Sequence, residues 1–380
     1  MNNESPNHRV TIFELAWFFL KLGTIAFGGP AAHIAMMEDE LVARRRWLTR
    51  DKFLDLVGAS NLIPGPSSSE LAIHIGYLLV RWPGLLVAGC CFVLPAAVMV
   101  TVLAWLYVRF GRLSAVASVL YGIKPVIIAV ILQALVGLGR TAVKTTALAC
   151  VGLVCLVVGL EGLHPLVVLT FGGIAAMLVA VGSRRVTATI PVLSIGGAVG
   201  AAGASFSLTS LFLIFLKIGA IVFGSGYVLL AFLRSDLVVH HGWLTDGQLL
   251  DSVAVGQITP GPVFTTATFI GYLLDGLRGA IVATLGIFLP AFLLVAASGP
   301  LVPHIRKSFV AGAILDGVNV ASLALMAVVT WQLGRTSIVD WITVALALAS
   351  VICLWQWKLN SAWLTALGAA VGLIANAIRR

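Results

Sequence analysis

The chain has 380 residues, of which 60% are apolar and only 10% are charged, and its formal net charge is +9. Soluble domains carry roughly 25% charged residues, so this composition excludes a soluble globular protein and indicates that lipid surrounds most of the chain. Most Lys and Arg residues lie at the ends of apolar runs, where orientation signals and lipid headgroup contacts belong. The positive charge therefore does not predict a nucleic-acid partner.

Apolar runs follow one another from Phe13 to Ile378, and each is long enough to cross a hydrocarbon core as a helix, which takes about 20 residues. Alternating strand patterns are absent, so the spans are predicted to be helices rather than barrel strands. We therefore expect an all-α polytopic membrane protein with about 10–13 transmembrane segments, some of them broken or re-entrant. The five cysteines show no zinc or disulfide spacing, and we expect no metal and no cofactor.

The chain contains two copies of one segment. The copies are first 196 positions apart and, after one deletion, 195 apart. Matching pairs include Phe19–Gly23 with Phe215–Gly219, Gly76–Leu79 with Gly271–Leu274, and Leu138–Thr141 with Leu333–Thr336. Repeated halves are a common architecture of secondary transporters, and a duplication without transport is the alternative. We predict a first half at 1–185, a linker at 186–206 and a second half at 207–380.

Glycine and proline interrupt the apolar helices at matching places in the two halves. The first interruption contains Gly28 and Gly29 in one half and Gly224 in the other. The second interruption is the motif Pro64-Gly65-Pro66 and its copy Pro260-Gly261-Pro262. A broken helix exposes backbone groups that cost several kcal/mol each in lipid, so breaks persist only where protein or a wet cavity satisfies them. Matched interruptions therefore predict a binding site near the membrane midplane.

A hydroxyl-rich helix start follows each Pro-Gly-Pro motif. Pro66 and Pro262 suit the first turn of a helix, where the missing N–H would be unpaired in any case. The hydroxyl residues that follow are Ser67, Ser68 and Ser69 in the first half, and Thr265 and Thr266 in the second. Free N–H groups and the positive end of the helix dipole make such a start an anion site. The alternative is a packing kink whose hydroxyls bond back to their own helix.

Two lysines lie at equivalent positions inside the first apolar run of each half. Lys21 and Lys217 precede the first glycine interruption by about one and a half helical turns. Charges inside spanning segments are expensive and are functional candidates by default. A pair of lysines facing one cavity would bind a dianion, whereas snorkelling to the interface is the alternative.

Glu70 and His74 are four residues apart and share one face of the helix after the first Pro-Gly-Pro motif. The second half has Thr266 and Ile270 there, so only one half carries this candidate proton-accepting pair. An unperturbed histidine side chain titrates near neutral pH, which makes His74 a candidate for carrying a proton. A neutral hydrogen-bonded structural pair is the alternative. Lys124 is a weaker intramembrane candidate.

The loop charges predict opposite orientations for the two halves. The first polar loop contains Arg44, Arg45, Arg46, Arg50 and Lys52, whereas the matching loop retains only Arg234. The positive-inside rule places the first loop in the cytoplasm but does not hold the second there. Inverted halves require an odd number of spans between matching points. The apolar stretch Val186–Ala204 is a candidate for the additional span.

These motifs together resemble the CHR chromate transporter family, of the long two-domain kind, over nearly the whole chain. The residues that carry the resemblance are Phe27–Pro30, Trp47–Thr49, the run from Ile63 through Glu70 to Tyr77, Leu94-Pro95 and Gly122–Pro125 in the first half, and Thr259–Pro262, Thr268–Tyr272 and Gly286–Pro290 in the second.

The resemblance implies an inner-membrane carrier that exports chromate, coupled to the proton motive force, with two oppositely oriented halves. Chromate and sulfate are both tetrahedral dianions, so a sulfate or other oxyanion carrier is the alternative. We find no nucleophile, base or metal motif of an intramembrane enzyme and expect no catalytic activity. The expected partners are chromate and the lipid bilayer, with sulfate as a competing anion. Whether the protein forms a homodimer is left open.

Overall fold

The computed structural model describes residues 10–111, 113–182, 206–223, 228–357, 359 and 361–379. This part of the chain forms 14 α-helices and no strand, which confirms the all-α class. The helices of the first half are α1 (Ile12–Ile25), α2 (Gly29–Glu38), α3 (Arg50–Ser60), α4 (Ser67–Phe110), α5 (Ser114–Ala142), α6 (Thr146–Leu160) and α7 (Pro165–Gly182). Those of the second are α8 (Leu208–Ile221), α9 (Leu229–Leu233), α10 (Asp246–Ile258), α11 (Thr266–Lys307), α12 (Phe309–Ser337), α13 (Trp341–Gln356) and α14 (Ser361–Arg379).

The element order of the first half repeats in the second. In both halves the second helix continues into a π-helical segment, Asp39–Arg44 after α2 and Arg234–His240 after α9. Six of the described helices are long and apolar enough to cross a membrane, and three more are apolar but shorter. The chain is therefore a multi-pass membrane protein. The predicted additional span at Val186–Ala204 lies outside the described residues.

The repeated Trp-Leu-Thr motif begins the third helix of each half. Thr49 is the N-cap of α3, and its hydroxyl accepts a hydrogen bond of 3.4 Å from the N–H of Lys52. Thr245 is the N-cap of α10 and accepts one of 3.2 Å from the N–H of Gln248. These bonds satisfy N–H groups that have no partner within the helix, so the same three residues produce the same local structure twice.

Helix α4 is a helical hairpin. Its backbone leaves helical geometry at Val80 and Arg81, where φ of Arg81 is +61°. The two arms then lie so close together that a Cβ on Gly76 would overlap the carbonyl oxygen of Gly84. Glycine is therefore required where the arms cross. In α11 the same reversal occurs at the equivalent Gly276.

The short arm of each hairpin places the Pro-Gly-Pro motif inside the apolar layer. The arm from Ser67 to residue 79 has about 13 residues and is roughly 20 Å long, whereas the hydrocarbon core is about 30 Å thick. Arg81 at the reversal is exposed, as expected for a residue at the membrane surface. The arm is therefore too short to cross the core by itself, as expected for one of the broken or re-entrant segments that the sequence predicts.

The last two helices of each half pack on the other half. Helices α6 and α7 lie against α12, and α13 and α14 lie against α5. Both of these packing contacts between the halves depend on glycine. A Cβ on Gly122 would overlap the backbone of Gly368, and a Cβ on Gly317 would overlap that of Gly172. The two halves are therefore interlocked.

We expect Gly122→Leu to destabilise the protein by about 1–3 kcal/mol, because the added side chain must push α14 away from α5. Gly137→Leu is the matched control on the same helix, since a Cβ there meets nothing within 4 Å. Thermal unfolding in detergent should give a lower Tm for the first variant alone. Equal Tm values for the two variants would contradict the close crossing.

Candidate functional site

The two Pro-Gly-Pro turns connect the halves by reciprocal backbone hydrogen bonds. The N–H of Gly65 donates to the carbonyl of Val222, at 2.7 Å, and the N–H of Gly261 donates to the carbonyl of Ala26, at 2.9 Å. Ala26 and Val222 are the C-caps of α1 and α8 and occupy equivalent positions of the repeat. The helix interruptions that the sequence predicted as one site therefore meet in the structure.

Each turn lies against the long helix of the other half. A Cβ on Gly261 would lie 2.6 Å from the Cβ of Ala96, and one on Gly65 would lie 3.8 Å from that of Ala291. Both glycines have positive φ values, +140° for Gly65 and +92° for Gly261. The backbone conformation therefore favours glycine at both positions, and at Gly261 the long helix of the other half also leaves no room for a side chain.

The prolines that close the two turns lie one position before the predicted one. Pro66 is the N-cap of α4, and Pro262 is the N-cap of the 3₁₀ turn that leads into α11. Neither proline is in the first turn of the helix that follows. The consequence for the backbone is unchanged, because a proline at either position removes no helical hydrogen bond.

A buried histidine adds a polar network to the first half. The Nε2 atom of His33 is 3.1 Å from the carbonyl oxygen of Ala26, and Nδ1 is 3.2 Å from the hydroxyl of Ser68. Since a carbonyl only accepts, Nε2 carries the proton and Nδ1 accepts from Ser68. The equivalent positions of the second half hold Leu229 and Phe264, so this network belongs to one half only.

Three polar side chains after the first Pro-Gly-Pro motif are buried without hydrogen-bond partners. They are Ser69, both carboxyl oxygens of Glu70, and Nε2 of His74. The carboxyl group of Glu70 lies directly against Gly65, because a Cβ on that glycine would overlap it. Buried polar groups normally have partners, so those without one require an explanation. A bound proton, water or ligand would supply it.

The hydroxyls of the second half are used within their own helix. Thr265 donates to the carbonyl of Pro262 and Thr266 donates to that of Val263, both at 2.8 Å. This is the packing arrangement that was the alternative to an anion site. The two helix starts are therefore chemically different, although the backbone turns that precede them are related by the repeat.

A cavity of about 440 Å³ lies beside the first helix start. A water molecule occupies about 30 Å³ in the liquid, so the cavity has room for an oxyanion and several waters. Its lining residues from the first half include Pro30, Asn61, Ser67, Thr141 and Lys144, and those from the second include Phe223, Val228, Asp316, Asn319 and Ser322. Both halves therefore contribute to one cavity, through residues that lie beside the interruptions rather than through the two Pro-Gly-Pro motifs themselves.

The polar groups of this cavity suit an anion. Ser67 is the first residue of α4, so the positive end of a long helix lies at the cavity wall. The hydroxyl of Ser322 is buried and has no partner. Lys144 forms an ion pair of 2.6 Å with Asp316, and both side chains are partly exposed. A pair of this kind contributes little stability and is easily exchanged for another anion.

The predicted lysine pair is not brought together at the cavity. Lys21 lies on the exposed face of α1. Lys217 lies 2.8 and 2.7 Å from the two carboxylate oxygens of Asp236. Neither lysine lines the cavity. Sequence spacing placed the two correctly along their helices, but the direction of each side chain depends on tertiary packing.

The partner of Lys217 is buried in the π-helical segment of the second half. His164 lies 3.5 Å from one oxygen of Asp236. Burial opposes ionisation of Asp236, but the hydrogen bond from His164 and the charge and hydrogen bond of Lys217 outweigh it, so the pKa of Asp236 is below its usual value. The carboxylate is therefore ionised at neutral pH and binds Lys217 as a structural ion pair.

Lys124 also has a buried partner. Its Nζ lies 3.0 Å from one oxygen of Asp251, and the hydroxyl of Tyr107 donates to the other at 2.9 Å. Lys124 belongs to the first half and Asp251 to the second, so this pair joins the halves. Of the other predicted residues, Gly28 and Gly29 begin α2 next to the cavity-lining Pro30, and Gly224 lies outside the described residues.

Sequence reasoning missed His33, Lys144 and Ser322. A position-by-position comparison of the two halves would have singled out His33, because an apolar residue occupies its equivalent position. Lys144 lies in a short polar linker between α5 and α6, where a lysine is ordinarily a solvated residue. Ser322 carries no signal in the sequence, since its importance depends on the cavity that α12 borders.

Comparison with known proteins places the chain among transport proteins. Residues 13–178 and 209–373 each match the sequence model described as chromate transporter. The chromate transport protein of Cupriavidus metallidurans is 34% identical over 96% of this chain and 93% of its own length. The probable chromate transport protein of Synechococcus elongatus is 32% identical over 95% of each chain. No solved structure matches.

We expect Lys217→Met to destabilise the protein by on the order of 3 kcal/mol, because it leaves the carboxylate of Asp236 buried without its cation. Lys21→Met should leave both the Tm and the transport rate close to those of the unchanged protein. Thermal unfolding and vesicle transport measure these effects, and Lys217→Met/Asp236→Asn should recover part of the lost stability. If Lys217→Met abolished transport but left the Tm unchanged, the structural role would be wrong and Lys217 would act in anion binding.

Proposed function

This chain belongs to the chromate transporter family, and on that premise we propose that it exports chromate across the cytoplasmic membrane, driven by the proton motive force. The observation that carries this proposal is the cavity that residues of both halves line beside the helix interruptions. A transport function also agrees with the names of its relatives, which are transport proteins rather than enzymes. Inverted halves remain part of the proposal.

Chromate is a tetrahedral dianion, and we assign its site to this cavity. The first turn of α4, which begins at Ser67, supplies the positive end of a helix. Asn61, Asn319 and Ser322 supply neutral hydrogen-bond donors, and Lys144 supplies a positive charge. The turns Pro64–Pro66 and Pro260–Pro262 hold this arrangement in place through their reciprocal hydrogen bonds.

The membrane potential alone can drive export of such an anion. One elementary charge crossing 100 mV is worth about 2.3 kcal/mol, so a dianion leaving a negative interior gains roughly twice that amount. We assign proton binding to Glu70 and His74, which are buried near the turn without partners. A carboxyl group without a partner in apolar surroundings is stable only when it holds a proton or faces a ligand or water.

Sulfate is the second candidate substrate. It has the shape and charge of chromate, and the donors that line the cavity recognise a tetrahedral dianion without an evident means of separating the two. A carrier for sulfate or another oxyanion is therefore the alternative function. Chromate as substrate is favoured by the names of the relatives.

We expect everted membrane vesicles, which are positive and acidic inside when energised, to accumulate radioactive chromate. Excess sulfate should reduce this uptake if the two anions share the cavity, and uptake unaffected by sulfate would exclude sulfate as an alternative substrate. Vesicles that carry the protein but accumulate no more chromate than control vesicles would contradict coupled export.

We expect Glu70→Gln to remove only the part of this uptake that depends on the pH gradient. Nigericin abolishes the pH gradient and valinomycin with potassium abolishes the potential, so the two ionophores separate the components. Glu161→Gln is the control, because Glu161 is an exposed glutamate at the end of α6. If the variant retains the nigericin-sensitive component, Glu70 does not bind the coupled proton.

A further inference from the structure

The repeat relates the cavity to a second set of residues, which lie in α5 and α10. Adding the repeat offset to Asn61 gives Gln257, and subtracting it from Asn319 and Asp316 gives Lys124 and Tyr121. With the two halves inverted, as proposed above, residues related in this way are expected to face opposite sides of the membrane. The second set is therefore the counterpart of the cavity.

The counterpart residues also carry groups that can donate to an anion, although only Gln257 keeps the chemistry of its equivalent, Asn61. Lys124 provides a positive charge, Tyr121 a hydroxyl and Gln257 an amide. The Nε2 atom of Gln257 is buried and has no hydrogen-bond partner. An amide donor is thus already present inside the protein without a group to receive its hydrogen bond, which is what an empty oxyanion site requires.

The cross-half contacts at the two places join corresponding elements of the repeat. At the cavity, Lys144 in the linker after α5 contacts Asp316 in α12, at 2.6 Å. At the counterpart, the hydroxyl of Tyr121 in α5 contacts Asp340 in the linker after α12, at 2.5 Å. Each contact joins α5 or α12 to the linker that follows the other of these two helices, although Asp340 lies one position after the exact equivalent of Lys144.

In the state seen here the counterpart is closed. Ile127, Ile131 and Leu333 occupy positions equivalent to cavity-lining residues, and all three are fully buried. The charge of Lys124 is neutralised by Asp251. If Lys124 turned to a substrate, Asp251 would keep the hydrogen bond of Tyr107 but would lose its cation.

We propose that Lys124, Tyr121 and Gln257 form a second oxyanion site, which binds the transported tetrahedral dianion when the carrier faces the opposite side of the membrane. The inference rests on the proposed function, because it requires a dianion to bind at the cavity first. It assigns the asymmetric lysines to the two faces, with Lys144 serving one face and Lys124 the other.

The test is the half-saturation concentration for chromate, measured from each face. Everted and right-side-out vesicles are loaded with unlabelled chromate, and uptake of radioactive chromate by exchange requires no energisation. Asn61→Leu and Lys144→Gln should raise this concentration roughly tenfold from one face. Gln257→Leu and Lys124→Gln should raise it by a similar factor from the other face.

Lys124→Gln leaves Asp251 without its cation and is expected to lower the folded yield. The double variant Lys124→Gln/Asp251→Asn removes both charges and keeps the measurement valid, and Gln257→Leu changes no charge at all. If the cavity variants act from one face, but Gln257→Leu and the double variant act from neither or from both equally, the second site is excluded. If the cavity variants act from neither face, the site in the proposed function is excluded instead.

Discussion

The arrangement of this protein depends on two backbone hydrogen bonds, from Gly65 to Val222 and from Gly261 to Ala26. Backbone groups at a helix interruption cannot be left unpaired in lipid, and here each interruption satisfies the other. The pairing requires glycine at both donors, because both have positive φ values. An added Cβ would also collide with Ala96 of the opposite half at Gly261, and with the carboxyl group of Glu70 at Gly65. The remaining elements support these four chain breaks, which meet in two pairs.

The backbone of the two halves follows the repeat, whereas several polar side chains do not. The backbone turns, the hairpin reversals and the glycine crossings all recur in both halves, whereas the polar residues near the turns do not. His33 and Ser68 are hydrogen-bonded in one half, and Leu229 and Phe264 replace them in the other. Duplication accounts for the common frame, and divergence of a few side chains gave one helix start its polar character.

The sequence predicted the helical class, the repeat and the interruptions, because each depends on local patterns or on direct comparison of the halves. It did not predict the partners of its lysines. Asp236 and Asp251 are distant along the chain from Lys217 and Lys124, respectively, and only packing brings them together. The cavity donors were missed for the same reason, since an asparagine or serine in a helix has no local signature of the space it faces.

The last two helices of each half pack on the other half, and this has a consequence for how the chain is synthesised. Helices α6 and α7 end at Gly182, but the helix against which they pack begins only at Phe309. During synthesis, α6 and α7 therefore remain in the bilayer with their small-residue surface facing lipid until most of the second half has been translated. The first half cannot mature alone, and assembly of the carrier is a late event that follows insertion of nearly all its helices.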